Sequence, residues 1–292
     1  MILELDQVFF LFSLAINPYL CTRKIYRATL SLKKMIKAIF FDIDGTLVSF
    51  NTHKISESTI RALDELRKKG IKLFIATGRQ FEAINNLGDL KFDGYITMNG
   101  SYCFVNKSEV IYKKYIPKND IKTLVDYVKN EDSFPCFFVT ENDSFGNYEN
   151  EASRQIFDQI NFPAGRIEPI EKALEEDIYQ VISFYKLEDE KKILALLPDC
   201  DATRWSPLFS DLVPKGSSKQ VGIDKVIEHF NISLDETMSF GDGGNDISML
   251  RHTKIGVAMG NAENEVKQSA DYVTSSVDED GIWNALKYFE II

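Results

Sequence analysis

Lys37-Ala38-Ile39-Phe40-Phe41-Asp42-Ile43-Asp44-Gly45-Thr46 is the stretch on which the fold turns. Its apolar, β-prone run shows no alternation with polar residues, the pattern of a strand buried on both faces within a parallel sheet. The run stops at two acids, Asp42 and Asp44. In extended backbone, residues i and i+2 share a face, so both carboxyls can point at one site. Like charges held together need a cation or a shared proton. The end of this strand is therefore a candidate site.

Downstream, Ile60, Leu63 and Leu66 form a helical stripe that starts at Ser56 and stops at Gly70. A second buried strand, residues 71–76, ends at Thr77-Gly78-Arg79. A further helix is expected before a third strand over 95–98, which ends at Asn99-Gly100. Late in the chain the same order returns: a helix over 220–230 and strands over 237–240, 255–259 and 272–274, with the loop Gly241-Asp242-Gly243-Gly244-Asn245-Asp246 after the first of these strands. This alternation predicts an α/β fold, a doubly wound, Rossmann-like parallel sheet whose ligands gather beyond the carboxyl ends of its strands. Between the halves the composition shifts to aromatics, amides and Pro, which reads as an inserted α+β cap. It has helices over 119–129 and 188–197 and strands over 136–140, 179–185 and 202–205. The expected division is a core of 35–116 and 209–292, a cap of 117–208, and a closing helix over 281–292.

The chain has 292 residues, 44% hydrophobic and 27% charged, with a net charge of -10. That charge argues against nucleic acid, whose affinity comes from clustered Lys and Arg. Cys21, Cys103, Cys136 and Cys200 have no metal or CxxC spacing and read as reduced thiols of a cytoplasmic protein. His53, His229 and His252 are scattered and suggest neither zinc nor a triad. Val8 to Ile16 is apolar but too short to span a membrane, and no basic segment precedes it. Because the strand pattern begins just after Met35, residues 1–34 read as a non-native or disordered extension. No membrane partner and no obligate protein partner is expected.

Asp242 and Asp246 add two acids at another strand end, and converging carboxylates suit Mg²⁺, which takes oxygen ligands. An anionic substrate would need local positive charge in so acidic a protein. Lys219 supplies it from the first turn of a helix, where Ser217 and Gln220 have capping-box spacing and the helix dipole also favours anions. Thr77 offers a hydroxyl and nearby backbone N–H groups to a phosphoryl oxygen. Singly, a DxD pair reads equally as a solvated turn, Lys219 as a surface lysine and Thr77 as a helix cap. The ordered set carries the interpretation.

That set, DIDGT at 42–46, ATGR at 76–79, Ser218-Lys219 and GDGGND at 241–246, resembles the haloacid dehalogenase superfamily and within it the Cof-type sugar-phosphate phosphatases. The resemblance spans the chain from about Met35 onward. It implies Asp42 as nucleophile, forming an aspartyl-phosphate, and Asp44 as general acid and then base. Mg²⁺ would be held by the Asp42 side chain, the Asp44 carbonyl and Asp242. Thr77, Gly78, Lys219 and Asn245 would bind the phosphoryl group, with Asp246 orienting Lys219 or the metal's waters. The acid at Asp44 favours a phosphatase over a dehalogenase or an ion pump. A phosphomutase shares the motifs, and a regulator that binds without turnover is the reading from another class. The implied substrate is a small phosphorylated metabolite such as a hexose phosphate, selected by the cap. Arg79, Asn99, Gly100 and Arg204 are candidate substrate contacts, although Arg204 and Trp205 read more readily as structural. Phe137 and Phe138 read as cap core.

Overall fold

In the computed structural model, which describes residues 36–106, 109–161 and 165–292, Ala38–Phe41 is β1 and lies at the centre of an eight-stranded sheet. The other strands are β2 (Lys72–Ala76), β3 (Gly94–Thr97), β4 (Tyr102–Val105), β5 (Glu109–Lys113), β6 (Cys136–Val139), β7 (Ser144–Gly146), β8 (Arg166–Ile167), β9 (Gln180–Ser183), β10 (Cys200–Thr203), β11 (Ser210–Pro214), β12 (Thr237–Gly241), β13 (Ile255–Ala258) and β14 (Tyr272–Val273). The first sheet runs β14-β13-β12-β1-β2-β3-β4-β5. Its first six members are parallel, and β4 and β5 close one edge antiparallel. The alternation of β1 explains why its run is wholly apolar. Ile39 and Phe41 face one core, with Leu63 and Leu66 of the helix Glu57–Lys68 and Leu286 of the helix Gly281–Tyr288. Ala38 and Phe40 face the other, with Ile223 and Val226 of the helix Lys219–Phe230. Both faces are covered, which is the doubly wound arrangement.

The second sheet, β10-β11-β9-β6-β7-β8, is mostly antiparallel and carries the helices Lys118–Asn130 and Glu190–Leu196 on one face. The chain enters this layer after β5 and returns after β11. The sequence reading ended the insert at residue 208 and gave 209 onward to the first layer. Instead Ser210–Pro214 pairs with both β9 and β10, so the second layer extends to Pro214. Asp211 and Pro214 mask that strand in the sequence.

Three other expectations fail. The helix expected between Arg79 and the third strand is a single 3₁₀ turn, Phe81–Ala83, followed by irregular chain. Asn85-Asn86 and Gly88 are poor helix formers, and Gly88 adopts φ +56°. The sheet is also not wholly parallel, because the β4–β5 hairpin was not foreseen. Helix Glu151–Gln159, opened by an Asn150 cap, and helix Ile247–His252 were likewise missed. Met98, expected to end the third strand, turns out of it at φ 48°. Cys103, Cys136 and Cys200 are buried free thiols, while Cys21 and the reading of residues 1–34 lie outside the described residues. Among the described residues no helix is long and apolar enough to cross a membrane.

Gly222 lets the helix that carries Lys219 lie close on the sheet: a Cβ there would stand 2.3 Å from Ile96 Cγ2. Gly222→Val should overpack this contact and cost about 1–3 kcal/mol. Chemical denaturation checks it, and an unchanged midpoint would contradict so close an approach.

Candidate active site

β1 ends at Asp42, whose N–H donates to the Phe240 carbonyl at 3.0 Å, so the carboxyl ends of β1 and β12 lie side by side. Gly45, at φ +83°, turns the chain over the Asp242 loop. A Cβ at Gly45 would stand 2.1 Å from Asp242 Oδ2, so the close packing of these two loops requires glycine. Thr46 Oγ1 donates to Asp242 Oδ1 at 2.7 Å, and Asn261 Nδ2 donates to the Gly45 carbonyl and to Asp242 Oδ2 at 2.9 and 3.2 Å.

Lys219 reaches this point from the first residue of its helix. The cap is Ser218, whose hydroxyl accepts from Val221 N–H, rather than Ser217. The ammonium is fully buried and donates to Asp42 Oδ1 at 2.6 Å and to Asp246 Oδ1 at 2.5 Å. Asp246 Oδ2 accepts the N–H groups of Asp242 and Gly243, both at 2.9 Å. Carboxylate oxygens of Asp42, Asp242 and Asp246 all lie within 4.8 Å of one another.

The electrostatics follow from this crowding. Burial raises Asp42 to about 7, against the lowering influence of Lys219 and with Asp246 and Asp44 adding to the rise. Asp242 is raised well above the ordinary range, first by burial and then by Asp42 and Asp246. For Lys219 burial acts downward, but the charges of Asp246 and Asp42 outweigh it and hold the ammonium above its usual value. Four carboxylates, Asp42, Asp44, Asp242 and Asp246, thus face two cations, Lys219 and Arg79. The two uncompensated charges and the hard oxygen donors fit a divalent cation between Asp42 and Asp242. Asp246 is less available to a metal, because Lys219 and two backbone N–H groups already engage its oxygens.

Asp44 points into a different contact. Arg79 grips both of its oxygens, Nε to Oδ2 at 2.6 Å and Nη2 to Oδ1 at 2.8 Å, and also donates to the carbonyls of Ala83 and Ile160 at 3.0 and 2.8 Å. Ile160 follows the helix Glu151–Gln159, so this guanidinium joins the two layers. Thr77 is buried at the end of β2, its hydroxyl accepting from the Arg79 N–H at 3.1 Å.

Asn99 sits in a turn where Met98, Asn99 and Gly100 all have positive φ, at 48°, 52° and 91°. Two of the three are not glycine, so the turn stores strain and fixes where Asn99 points. Its Nδ2 donates to Asp211 Oδ2 and Gln180 Oε1 at 2.9 and 3.1 Å, and its Oδ1 accepts from Asn245 at 3.0 Å. Gln180 Nε2 donates to Asp211 Oδ1 and to the Gly78 carbonyl at 3.0 and 3.2 Å.

Between the layers lies a cavity of about 340 Å³, lined by Asp42, Asp44, Thr77, Gly78, Arg79, Asn245 and Asp242 on one side and by Phe137, Phe157, Gln180, Trp205, Phe209 and Asp211 on the other. Asp42, Asp242, Asp246 and Lys219 are brought together, and Thr77, Gly78 and Asn245 adjoin them. Of the candidate substrate contacts Arg79 lines the cavity, whereas Asn99, Gly100 and Arg204 are not among the lining residues. A Cβ on Gly100 would meet the Ser218 carbonyl oxygen at 2.0 Å, so this glycine admits the Lys219 helix cap. Arg204 pairs with Glu190 at 2.5 Å and donates to the Phe209 carbonyl. Phe137, expected to be core alone, also lines the cavity, whereas Phe138 is packed inside the second layer. Sequence reasoning missed Thr46, Asn261, Gln180, Asp211 and Phe50. Asn261 follows a buried strand and was findable by the strand-end rule. Asp211 was findable as an acid beside the apolar pair Leu212-Val213. Gln180 and Phe50 carry no sequence signal.

A family profile described as haloacid dehalogenase-like hydrolase matches residues 39–286. The protein YkrA of Bacillus subtilis strain 168 is 37% identical over 254 residues, covering 86% of this chain and 96% of that protein. The HAD subclass IIB sugar phosphatase BT4131 is similar in structure at a TM-score of 0.83 and 51% identity, covering 88% of this chain and 100% of that one. BT1666 of Bacteroides thetaiotaomicron, described among phosphatases of the same superfamily, gives a TM-score of 0.82 at 38% identity, covering 88% and 96% of the two chains. Because the matched span runs from β1 through the helix that closes the sheet, the chain belongs to the haloacid dehalogenase-like hydrolase family.

Proposed function

We propose that the chain is a Mg²⁺-dependent phosphatase of small phosphorylated metabolites, sugar monophosphates first among them, working through an aspartyl-phosphate on Asp42. The observation that carries this reading is the buried Lys219 ammonium bonded at 2.6 Å to Asp42, which with the converging Asp242 lines the cavity. The structural likeness to a sugar phosphatase supports the substrate class.

Asp42 is the nucleophile. One of its oxygens attacks phosphorus, the bond from phosphorus to the leaving oxygen breaks, and Asp44 gives that oxygen a proton. Water then attacks the phosphorus of the aspartyl-phosphate, Asp44 takes the proton of that water, and inorganic phosphate leaves with Asp42 restored. Lys219, the Thr77 hydroxyl and Asn245 hold the phosphoryl oxygens. Mg²⁺, held by the carboxylates of Asp42 and Asp242 and by the Asp44 carbonyl, would supply charge neutralisation at those oxygens. Asp246 fixes the Lys219 ammonium. Arg79 occupies both oxygens of Asp44. A proton on Asp44 replaces one of those bonds, so the fork must loosen when substrate is bound.

Asp42→Asn should lower hydrolysis of p-nitrophenyl phosphate in the presence of Mg²⁺ by about 10³-fold or more, because no other group can form the intermediate. Retained activity would remove Asp42 from the role, and an inactive wild type would favour a binding protein without turnover.

Metal binding should depend on pH. The folded pKa of Asp42, about 7, lies above the unfolded carboxylate value of about 3.9. The folded state therefore holds the proton longer, and the stability this group contributes falls as pH rises from about 4 to 7. Mg²⁺ needs the ionised form and offsets that loss, so its stabilising effect grows across the same window. The rise in melting temperature on adding Mg²⁺ should be larger at about pH 7.5 than at about pH 5.5, and equal shifts would contradict the assignment.

A further inference from the structure

Resting on the phosphatase reading, we infer that the cavity selects monophosphates whose leaving group is uncharged and has one apolar face, and that Asp211 is the specificity-determining side chain that turns away a second anion. Among the described residues lining the cavity, Arg79 is the sole basic side chain, and Asp44 and two carbonyls already take its donors. Lys219 is committed to Asp42 and Asp246. Arg204, next in the chain to the lining residue Trp205, is bonded to Glu190 and the Phe209 carbonyl and stacks over Tyr185. A second phosphate or a carboxylate on the substrate would therefore meet no free cation there.

It would meet an acid instead. Asp211 projects from β11, which is otherwise apolar over Leu212-Val213, and is 3% exposed at the cavity wall. Asn99 and Gln180 each donate to one of its oxygens, orienting the carboxyl and leaving lone pairs that can accept hydroxyl hydrogens but repel an anion. Burial raises it to about 7, so it is neutral or negative near neutral pH and never cationic. Gln180 also donates to the Gly78 carbonyl and Asn99 accepts from Asn245, which ties the selecting group to the loops that would hold the phosphoryl group. Aromatic rings make up much of the rest of the lining. Trp205 and Phe50 are stacked with centroids 6.3 Å apart, and Phe137, Phe157 and Phe209 continue the surface. The C–H face of a sugar ring, or another flat neutral group, buries well against such a surface while its hydroxyls reach Asp211.

The test compares kcat/KM for a hexose 6-phosphate, the corresponding hexose 1,6-bisphosphate and glycerol phosphate, with Mg²⁺ present. Hydrolysis of p-nitrophenyl phosphate by the wild type is scored first. No phosphate release there overturns the phosphatase reading, whereas release accompanied by equal or better use of the bisphosphate overturns this inference alone. The expected wild-type preference for the monophosphate over the bisphosphate is about tenfold or more. In Asp211→Asn the preference should shrink by about threefold or more, mainly through KM, because the amide removes the repulsion and adds a donor. An unchanged ratio would remove Asp211 from the role. Trp205→Ala supplies an independent arm: its KM should rise at least about threefold more for the hexose phosphate than for glycerol phosphate, which has no ring to stack. Equal rises for both would overturn the apolar-face half of the inference.

Discussion

A fully buried ammonium between two carboxylates, Lys219 with Asp42 and Asp246, is the constraint around which the carboxyl ends of the parallel strands are arranged. A lone charge could not sit there, and deleting one partner of such a group typically costs about 3–5 kcal/mol. Asp42 belongs to the end of β1, Asp246 to the turn after β12, and Lys219 to a helix that follows the whole second layer. The ion triad therefore ties together three segments distant in sequence. It also leaves the cluster short of positive charge, since one ammonium cannot balance Asp42, Asp242 and Asp246 together. Burial first, and the neighbouring carboxylates after it, hold Asp42 and Asp242 above the ordinary range. That deficit is an electrostatic opening for a cation, which the proposed function would use.

The scaffold is shaped so that these groups can approach. At three places a missing Cβ decides the geometry: Gly45 under Asp242, Gly100 against the Ser218 carbonyl, and Gly222 on Ile96. Each brings the Lys219 helix or the Asp242 loop nearer to the sheet than an alanine would permit. Beside Gly100, Met98 and Asn99 accept positive φ without being glycine. The turn can persist because Asn99 makes three side-chain hydrogen bonds within a buried network, so the strain is held in place by contacts to both layers.

Much of this was legible in the sequence for a physical reason. Strands buried on both faces must be uninterrupted apolar runs, and their abrupt ends in DIDGT, TGR and GDGGND are local signals that survive without knowledge of the partners. The acids at 42, 44, 242 and 246 and Lys219 could all be named from such signals. What stayed hidden depends on long-range pairing. Ser210–Pro214 looks like a loop until β9 and β10 flank it, and so Asp211 seemed to lie outside the cap. Arg79 was recognisable as the last residue of a motif, but nothing local says that its guanidinium grips Asp44. Arg204 attracted attention as a cation near the expected pocket, and a contact with Glu190, 14 positions away, took it out of consideration. Charges at strand ends are thus readable from one segment, whereas the cavity wall is a property of two.

The seam between the layers is polar, and this bears on how the site could work. Arg79 to the Ile160 carbonyl, Gln80 to the Thr140 and Asp143 carbonyls, and Asn99 with Gln180 and Asp211 all cross it. Apolar contact across it also exists, as in Phe50 with Trp205 and Tyr102 with Tyr179. Hydrogen bonds that water can replace contribute only about 0.5–1.5 kcal/mol each, so a seam rich in them can part and re-form at modest cost. A seam built like the interior of either sheet would not. Three of the core residues that cross it, Arg79, Gln80 and Asn99, stand within four residues of the ends of β2 and β3. Closure of the second layer and orientation of Asp44 by Arg79 therefore share one guanidinium. Parting the layers would take the Ile160 carbonyl from Arg79, so in the proposed mechanism the position of the Asp44 carboxyl depends on how the second layer sits.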